Sequence, residues 1–204
     1  MTKIKICGLT TEEDMHIVNE YLPDYIGFVF AKSKRQLSLN QAKHLKSLLN
    51  PVIQAVGVFV NEPIDRLIDY ENEKVIDIVQ LHGDEDSDYI EELKARIKLP
   101  IIKAIRVQPE TSLSQNFNVD FLLFDKYLEG AYGGGGENFD WQTIKDINGP
   151  YFLAGGINLD NIHEAIKKAP YAIDVSSGVE TNGMKDKEKI REIISIIKHK
   201  NNSR

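Results

Sequence analysis

Short apolar segments alternate with helix-like segments along the chain, and this alternation is the feature that most constrains the fold. Most of the apolar segments are β-branched and lack a polar face, which suits strands that are covered on both sides. Strands are predicted at Ile4–Cys7, Tyr25–Phe30, Ile53–Val60, Ile76–Leu81, Ile101–Arg106, Phe121–Asp125, Tyr151–Ala154 and Ala172–Val175. Because strand-then-helix units build parallel sheets, the pattern predicts an α/β protein.

Helix start signals lie between these strands. Thr11 precedes three acidic residues, and Ser38 with Gln41 forms a capping box. The acidic run "DEDSD" after His82 fits a helix start better than a calcium loop, because Tyr89 stands where such a loop requires glycine. Further helices are predicted after Asn61 and Pro63, after Asp140, after Asn158, and over Lys185–Lys200.

Eight strand-then-helix units predict a closed (β/α)₈ TIM barrel, a single domain over residues 1–204. The length of 204 residues lies at the low end for this fold. A doubly wound open sheet is the alternative, and it would normally carry a three-glycine fingerprint after the first strand. The corresponding stretch here, "CGLTTEED", has one glycine.

Composition narrows the function classes. The chain has one cysteine and a net charge of −6 with scattered basic residues, so we expect neither an intrachain disulfide nor a nucleic-acid partner. No apolar run approaches the ~18 residues that span a bilayer, and no signal-like segment precedes the first strand. We therefore expect a cytoplasmic protein with no membrane partner.

The carboxyl ends of the strands are where a barrel of this kind places its chemistry. The seventh strand ends in Gly155 and Gly156, and the eighth in Ser176, Ser177 and Gly178. A glycine pair alone most simply serves a tight turn. Two such loops after strands seven and eight favour a phosphate site, in which backbone N–H groups approach the ligand.

Cys7 and Asp125 end the first and sixth strands and are candidates for acid–base chemistry. A thiol becomes a useful base when its pKa is lowered, and a carboxyl becomes a useful acid when desolvation raises its pKa. Cys7 alone could equally fill a gap in the core, and Asp125 could cap a helix or pair with Lys126. His82 also follows a strand, and no spacing of His, Cys and carboxylates predicts a metal site.

The segment "GAYGGGGEN", residues 130–138, is either a plain linker or a mobile loop over the site. Neither it nor "GVETNGMK" completes a nucleotide-binding fingerprint.

Eight stretches together resemble the phosphoribosylanthranilate isomerase family over essentially the whole chain. They are "KICGLT", "GFVF" with "SKR", "VGVFVN", "QLHGDE", "IKAIR", "GGGGENFDW", "AGGIN" and "DVSSGVE". The resemblance implies the Amadori rearrangement of N-(5-phosphoribosyl)anthranilate, the third step of the tryptophan branch, without a metal or organic cofactor.

Residue roles follow from the same resemblance. It implies that Asp125 is the general acid, Cys7 the general base, and Arg35 the partner of the anthranilate carboxylate. The remaining substrate-binding residues, most of them at the phosphate end, are expected to be His82, Gly155, Gly156, Asp174, Ser176, Ser177 and Gly178.

Two other functions stay open. The histidine-pathway isomerase performs the same kind of rearrangement, but that relative has an aspartate where this chain has Cys7. A catalytically silent module that binds a phosphorylated ligand would need neither Cys7 nor Asp125. The fold is compatible with a monomer or a homodimer.

Overall fold

The structure is a computed structural model that describes residues 1–107, 117–126, 141, 144, 147 and 149–202. Two sequence features lie outside these residues: the glycine-rich segment 130–138, and most of the helix predicted after Asp140.

Eight parallel strands pair in chain order, and β1 also pairs with β8, so the sheet closes into a barrel. Each strand end lies within two residues of the predicted one. The strands are β1 Lys3–Cys7, β2 Tyr25–Val29, β3 Gln54–Phe59, β4 Ile78–Leu81, β5 Ile101–Val107, β6 Phe121–Lys126, β7 Tyr151–Leu153 and β8 Ala172–Val175. The predicted (β/α)₈ fold is confirmed, and the open sheet is excluded.

Helices follow most of the strands. They are α1 Glu12–Tyr21, α2 Leu39–Leu48, α3 Ile64–Asn72, α4 Ser87–Arg96, α5 Ile162–Lys167 and α6 Lys187–Asn202. A 3₁₀ turn at Ser177–Val179 leads into a two-stranded hairpin, β9 Glu180–Thr181 and β10 Met184–Lys185. Within the described ranges, no helix is both long and apolar enough to cross a membrane.

The predicted helix caps at the N-terminal half are confirmed. The Thr11 hydroxyl accepts a hydrogen bond from the Asp14 N–H, and the Asp14 carboxylate accepts one from the Thr11 N–H at 3.0 Å. Ser38 and Gln41 form the same reciprocal pair at the start of α2. Asp86 caps α4 by accepting from the Tyr89 N–H at 2.9 Å, which confirms the acidic run as a helix start.

Two predicted helix starts were wrong. The helix expected after Asn158 begins at Ile162, because the Asn158 carboxamide accepts from the Asp160 N–H and holds residues 158–161 in a turn. The helix expected from Lys185 begins at Lys187, because Met184 and Lys185 pair with Thr181 and Glu180 in the hairpin.

The core has two layers. One lies between the strands and the surrounding helices. The other, inside the barrel, contains Tyr25, Val56, Ile78, Ile102, Ala104, Leu123, Phe152, Ala154 and Ala172. Lys5 of β1 reaches Gln80 of β4, a contact that can form only through the interior of the barrel. Polar groups therefore interrupt the apolar filling toward the carboxyl ends of the strands.

Candidate active site

Cys7 stands at the end of β1, directly opposite Gly27 of β2. A Cβ added to Gly27 would lie 2.5 Å from the Cys7 sulfur, so the thiol occupies the space that the missing side chain leaves. Cys7 as a residue is half-buried and forms no disulfide. Its thiol is therefore packed on one side, as a filler would be, at the end of the strand that leads to the barrel mouth.

The electrostatic surroundings of Cys7 are mixed. Burial raises the pKa of the thiol above its ordinary value, and the Asp174 carboxylate acts in the same direction. The ammonium groups of Lys5 and Lys185 oppose this rise, with Lys5 the stronger of the two. A lowered thiol pKa, the condition for a useful base, is therefore not met in the free protein, because desolvation outweighs the two cations.

Lys5 is a charged side chain with no exposure to solvent. Its ammonium donates to Asp174 Oδ2 at 2.7 Å, to Gln80 Oε1 at 2.7 Å and to the Cys7 sulfur at 3.5 Å. Burial opposes the charge of Lys5, but the Asp174 carboxylate and the Cys7 sulfur hold the pKa of this ammonium above its ordinary value. Lys5 is therefore a buried cation beneath the candidate base.

Gln80 connects Lys5 to His82. Since the Gln80 oxygen accepts from Lys5, its amide nitrogen is the atom that donates to His82 Nδ1 at 2.7 Å. In the neutral imidazole the proton then lies on Nε2. Nε2 is 3.2 Å from Asp125 Oδ2, although this contact lacks the alignment of a good hydrogen bond.

These contacts form a continuous line across the barrel, from β8 through β1 and β4 to β6. We call it the interior polar chain and define it as Asp174, Lys5, Gln80, His82 and Asp125. Asp125 is buried, and its other oxygen accepts from the Lys126 N–H at 2.8 Å. The candidate base Cys7 contacts the interior polar chain through Lys5 at 3.5 Å, so the candidate acid and the candidate base are connected through it.

Arg35 is in the loop after β2, and its side chain lies next to Gly8 in the loop between β1 and α1. A Cβ added to Gly8 would meet the Arg35 side chain at 2.4 Å, and Gly8 has a φ of +80°, so two separate constraints require glycine after Cys7. The Arg35 fork binds Glu180 through Nε and Nη2, both at 2.9 Å. Lys185 binds the same carboxylate at 2.8 Å. Burial disfavours the charge of Glu180, but Arg35 and Lys185 hold its pKa below the ordinary value.

The loops after β7 and β8 contact each other. A Cβ on Gly178 would lie 1.9 Å from the Ile157 carbonyl oxygen, so this glycine is required for the two loops to pack. Gly155 and Gly156 have φ of +86° and +66°, and the Gly156 carbonyl accepts from the Asn161 side chain. The Ser176 hydroxyl donates to the Cys7 carbonyl at 3.2 Å and ties this end of the site to β1.

Among the described residues, no group of three or more His, Cys, Asp and Glu is arranged to hold a metal ion.

The family model for N-(5′-phosphoribosyl)anthranilate isomerase matches residues 4–196. The chain belongs to this family. The N-(5′-phosphoribosyl)anthranilate isomerase of Endomicrobium trichonymphae is 53% identical over 199 residues, 97% of this chain and 99% of the relative.

Solved structures of the isomerase family have the same fold. One is a phosphoribosyl anthranilate isomerase in complex with reduced 1-(o-carboxyphenylamino)-1-deoxyribulose 5-phosphate, at 35% identity and a TM-score of 0.83, with 98% of this chain and 100% of that chain covered. Another shows monomers generated from the dimeric enzyme of Thermotoga maritima, at 34% identity, a TM-score of 0.83 and the same coverage.

The isomerase fold brings most of the predicted site residues to one end of the barrel. Cys7, His82, Asp125 and Asp174 are linked through the interior polar chain, and Ser176 contacts Cys7 directly. Arg35 lies over Gly8, next to Cys7. Gly155, Gly156, Ser177 and Gly178 occupy the two loops beside them.

Four residues of this site were not predicted: Lys5, Gln80, Glu180 and Lys185. Lys5 carried a usable signal, because it stands two residues before Cys7 on the same face of a strand. Gln80 is likewise polar within an apolar strand. Glu180 and Lys185 lie on a short hairpin that the sequence did not predict.

Proposed function

We propose that this protein converts N-(5′-phosphoribosyl)anthranilate to 1-(2-carboxyphenylamino)-1-deoxyribulose 5-phosphate, with Asp125 as general acid and Cys7 as general base. Family membership supports the reaction. The observation that carries the residue roles is that a thiol and a carboxyl on β1 and β6 face one barrel mouth and are joined by the interior polar chain.

The first step is opening of the sugar ring. Asp125 donates its proton to the furanose ring oxygen, the bond from C1′ to that oxygen breaks, and the nitrogen lone pair forms the C1′=N bond of a Schiff base. Asp125 is buried at the end of β6 and lies 3.2 Å from His82 Nε2, so the carboxyl is held in one place at the barrel mouth, as a general acid requires.

In the second step the Cys7 thiolate removes the proton from C2′. The electron pair of that C–H bond forms the C1′=C2′ bond, and the C=N pair returns to nitrogen, which yields an enolamine. Loss of the hydroxyl proton and addition of a proton at C1′ give the ketone. Substrate and product are isomers, so the sequence consumes no oxidant or reductant.

The two ends of the substrate carry negative charge. Glu180 uses Nε and Nη2 of Arg35, and no described residue bonds Nη1, so this nitrogen can meet the anthranilate carboxylate. Backbone N–H groups at Gly155, Gly156, Ser176, Ser177 and Gly178 suit the phosphate. Asp174 Oδ1 is buried and has no hydrogen-bond partner among the described residues, so it can accept from a sugar hydroxyl.

The test is turnover of purified protein, followed as loss of the fluorescence of phosphoribosylanthranilate. We expect saturable turnover with this substrate and none with the phosphoribosyl intermediate of the histidine pathway. Turnover of the histidine intermediate alone would assign the protein to the related isomerase. Binding without turnover of either compound would make it a silent binding module.

We also propose that the protein acts in the cytoplasm as a monomer or a homodimer. The dimeric Thermotoga maritima relative makes the second state a natural alternative. Light scattering should give a mass near 23.1 kDa or twice that value, and a larger assembly would contradict the proposal. Cell fractionation tests the location.

A further inference from the structure

The proposed roles do not use the fully buried ammonium of Lys5 in the barrel interior. A lysine ammonium has three N–H donors, and Lys5 has three acceptors: Asp174 Oδ2, Gln80 Oε1 and the Cys7 sulfur. Two of these acceptors are ordinary partners for a buried lysine. The third is the atom proposed to remove a proton from the substrate.

Stability alone gives a weak reason for this arrangement. Burying an ammonium and a carboxylate costs desolvation energy that their attraction often fails to recover, and apolar replacements of such pairs are often as stable. The barrel interior also contains an apolar layer, but the direct partners of the Lys5 ammonium, Asp174, Gln80 and Cys7, are all polar. The charge of Lys5 is better explained by its electrostatic effect on the side chains that it contacts.

We propose that Lys5 is a positioning residue for the reaction, whose ammonium supports the thiolate form of Cys7 from inside the barrel. The proposal rests on the proposed function, because Lys5 affects the reaction only through Cys7, the proposed base. Its physical content, the effect of Lys5 on ionisation of Cys7, is independent of whether Cys7 then acts on the substrate.

Three charged groups act on the Cys7 thiol from the elements around it. Lys5 lies on the same strand, Asp174 on β8 and Lys185 on β10, while β2 presents only Gly27. Lys5 donates directly to the sulfur, and its stabilising effect on the thiolate exceeds the opposing effect of Asp174. Removing Lys5 and removing Asp174 should therefore change the ionisation of Cys7 in opposite directions.

The experiment uses the fact that Cys7 is the one cysteine of the chain. The rate of alkylation by iodoacetamide, measured against pH in the free protein, reports thiolate formation at this residue alone. In Lys5→Met the midpoint of the alkylation curve should move to higher pH, with the rate at pH 7 lowered about tenfold or more, since one pKa unit is a tenfold change in thiolate. In Asp174→Asn the midpoint should move to lower pH.

Lys103→Met is the matched control. Lys103 is also buried and pairs with a buried carboxylate, Glu85, at 2.7 Å, but it contacts neither Cys7 nor Lys5. It should lose stability as Lys5→Met does and keep the wild-type alkylation curve. Opposite shifts in Lys5→Met and Asp174→Asn cannot arise from general loosening of the barrel, which would move both curves in the same direction.

A folded Lys5→Met protein with the wild-type alkylation curve would overturn the proposal. If Lys5→Met does not fold, the double variant Lys5→Met/Asp174→Asn removes both charges and leaves no unpaired ion in the interior. Its midpoint should lie above that of Asp174→Asn alone, and equal midpoints would again overturn the proposal. Failure of the proposed function would look different, as Cys7→Ser protein that still turns over substrate.

Discussion

The residues next to Cys7 fix where its thiol can stand. Gly27 leaves the space that the sulfur occupies, and Gly8 lets the Arg35 side chain cross the end of β1. Cys7 and Asp125 could be predicted as acid–base candidates from their residue types at strand ends. The sequence places Lys5 on the same face of β1 as Cys7, but its burial and its contacts with Asp174 and Gln80 depend on how the barrel closes.

Gly27→Ala tests the packing of the thiol. The added Cβ would lie 2.5 Å from the Cys7 sulfur and must displace it from its position. We expect kcat to fall at least tenfold with a smaller change in KM, together with a loss of about 1–3 kcal/mol in the free energy of unfolding. Steady-state kinetics and denaturant unfolding measure the two effects.

Gly57→Ala is the control, because its Cβ would meet Phe59 and Ile76 in the layer outside the barrel. It should lose comparable stability and keep its kcat. Equal losses of kcat in the two variants would mean that overpacking, and not displacement of the thiol, causes the effect.

At the scale of the elements, the sequence predicted strands better than the segments that follow β7 and β8. Strand bodies are apolar runs, whereas the turn at residues 158–161 and the hairpin of β9 and β10 depend on single side-chain bonds and on contacts made after folding. The hairpin nevertheless supplies Glu180 and Lys185 to the site. Its short length, two residues in each strand, gives no hydrophobic period that a sequence pattern could reveal.

Gly178→Ala tests whether the two loops act as one binding element. The Cβ would meet the Ile157 carbonyl oxygen at 1.9 Å, so the loops after β7 and β8 must separate. If they hold the phosphate jointly, KM should rise about tenfold or more, while kcat at saturation changes less. Steady-state kinetics over a range of substrate concentrations measures this.

Gly149→Ala provides the comparison, since Gly149 has a φ of +103° but no atom within 4 Å of an added Cβ. It should lose stability through backbone strain and keep the wild-type KM. An unchanged KM in folded Gly178→Ala would remove the loop contact from the account of phosphate binding.

For the whole molecule, counting eight strand-then-helix units was enough to predict closure of the barrel, but not which side chains face inward. That depends on the register of every strand, which places Asp174 opposite Lys5 and so forms the interior ion pair.

The charge of Glu180 connects the site to the stability of the whole barrel. Glu180 has a lowered pKa in the folded protein, so its charge stabilises the fold above its unfolded pKa of about 4.3.

Glu180→Gln tests this link. The stabilisation that the carboxylate provides should be lost as the pH falls below about 4.3 and through the lower pKa of the folded state. The difference in unfolding free energy between wild type and Glu180→Gln should therefore be constant near neutrality and shrink in acid. A difference that does not depend on pH between about 7 and 3 would contradict the assignment. Urea unfolding at a series of pH values supplies the data.

The central claim is that Cys7 is the base, and steady-state turnover of phosphoribosylanthranilate by Cys7→Ser tests it most directly. Serine is close to cysteine in size, so the variant should keep the wild-type circular dichroism spectrum and unfolding midpoint. An alcohol cannot accept a proton near neutrality, and kcat should fall about 10²–10⁴-fold while KM changes little. A folded Cys7→Ser protein with near wild-type kcat would contradict the account, and His82 would then be the next candidate for the base.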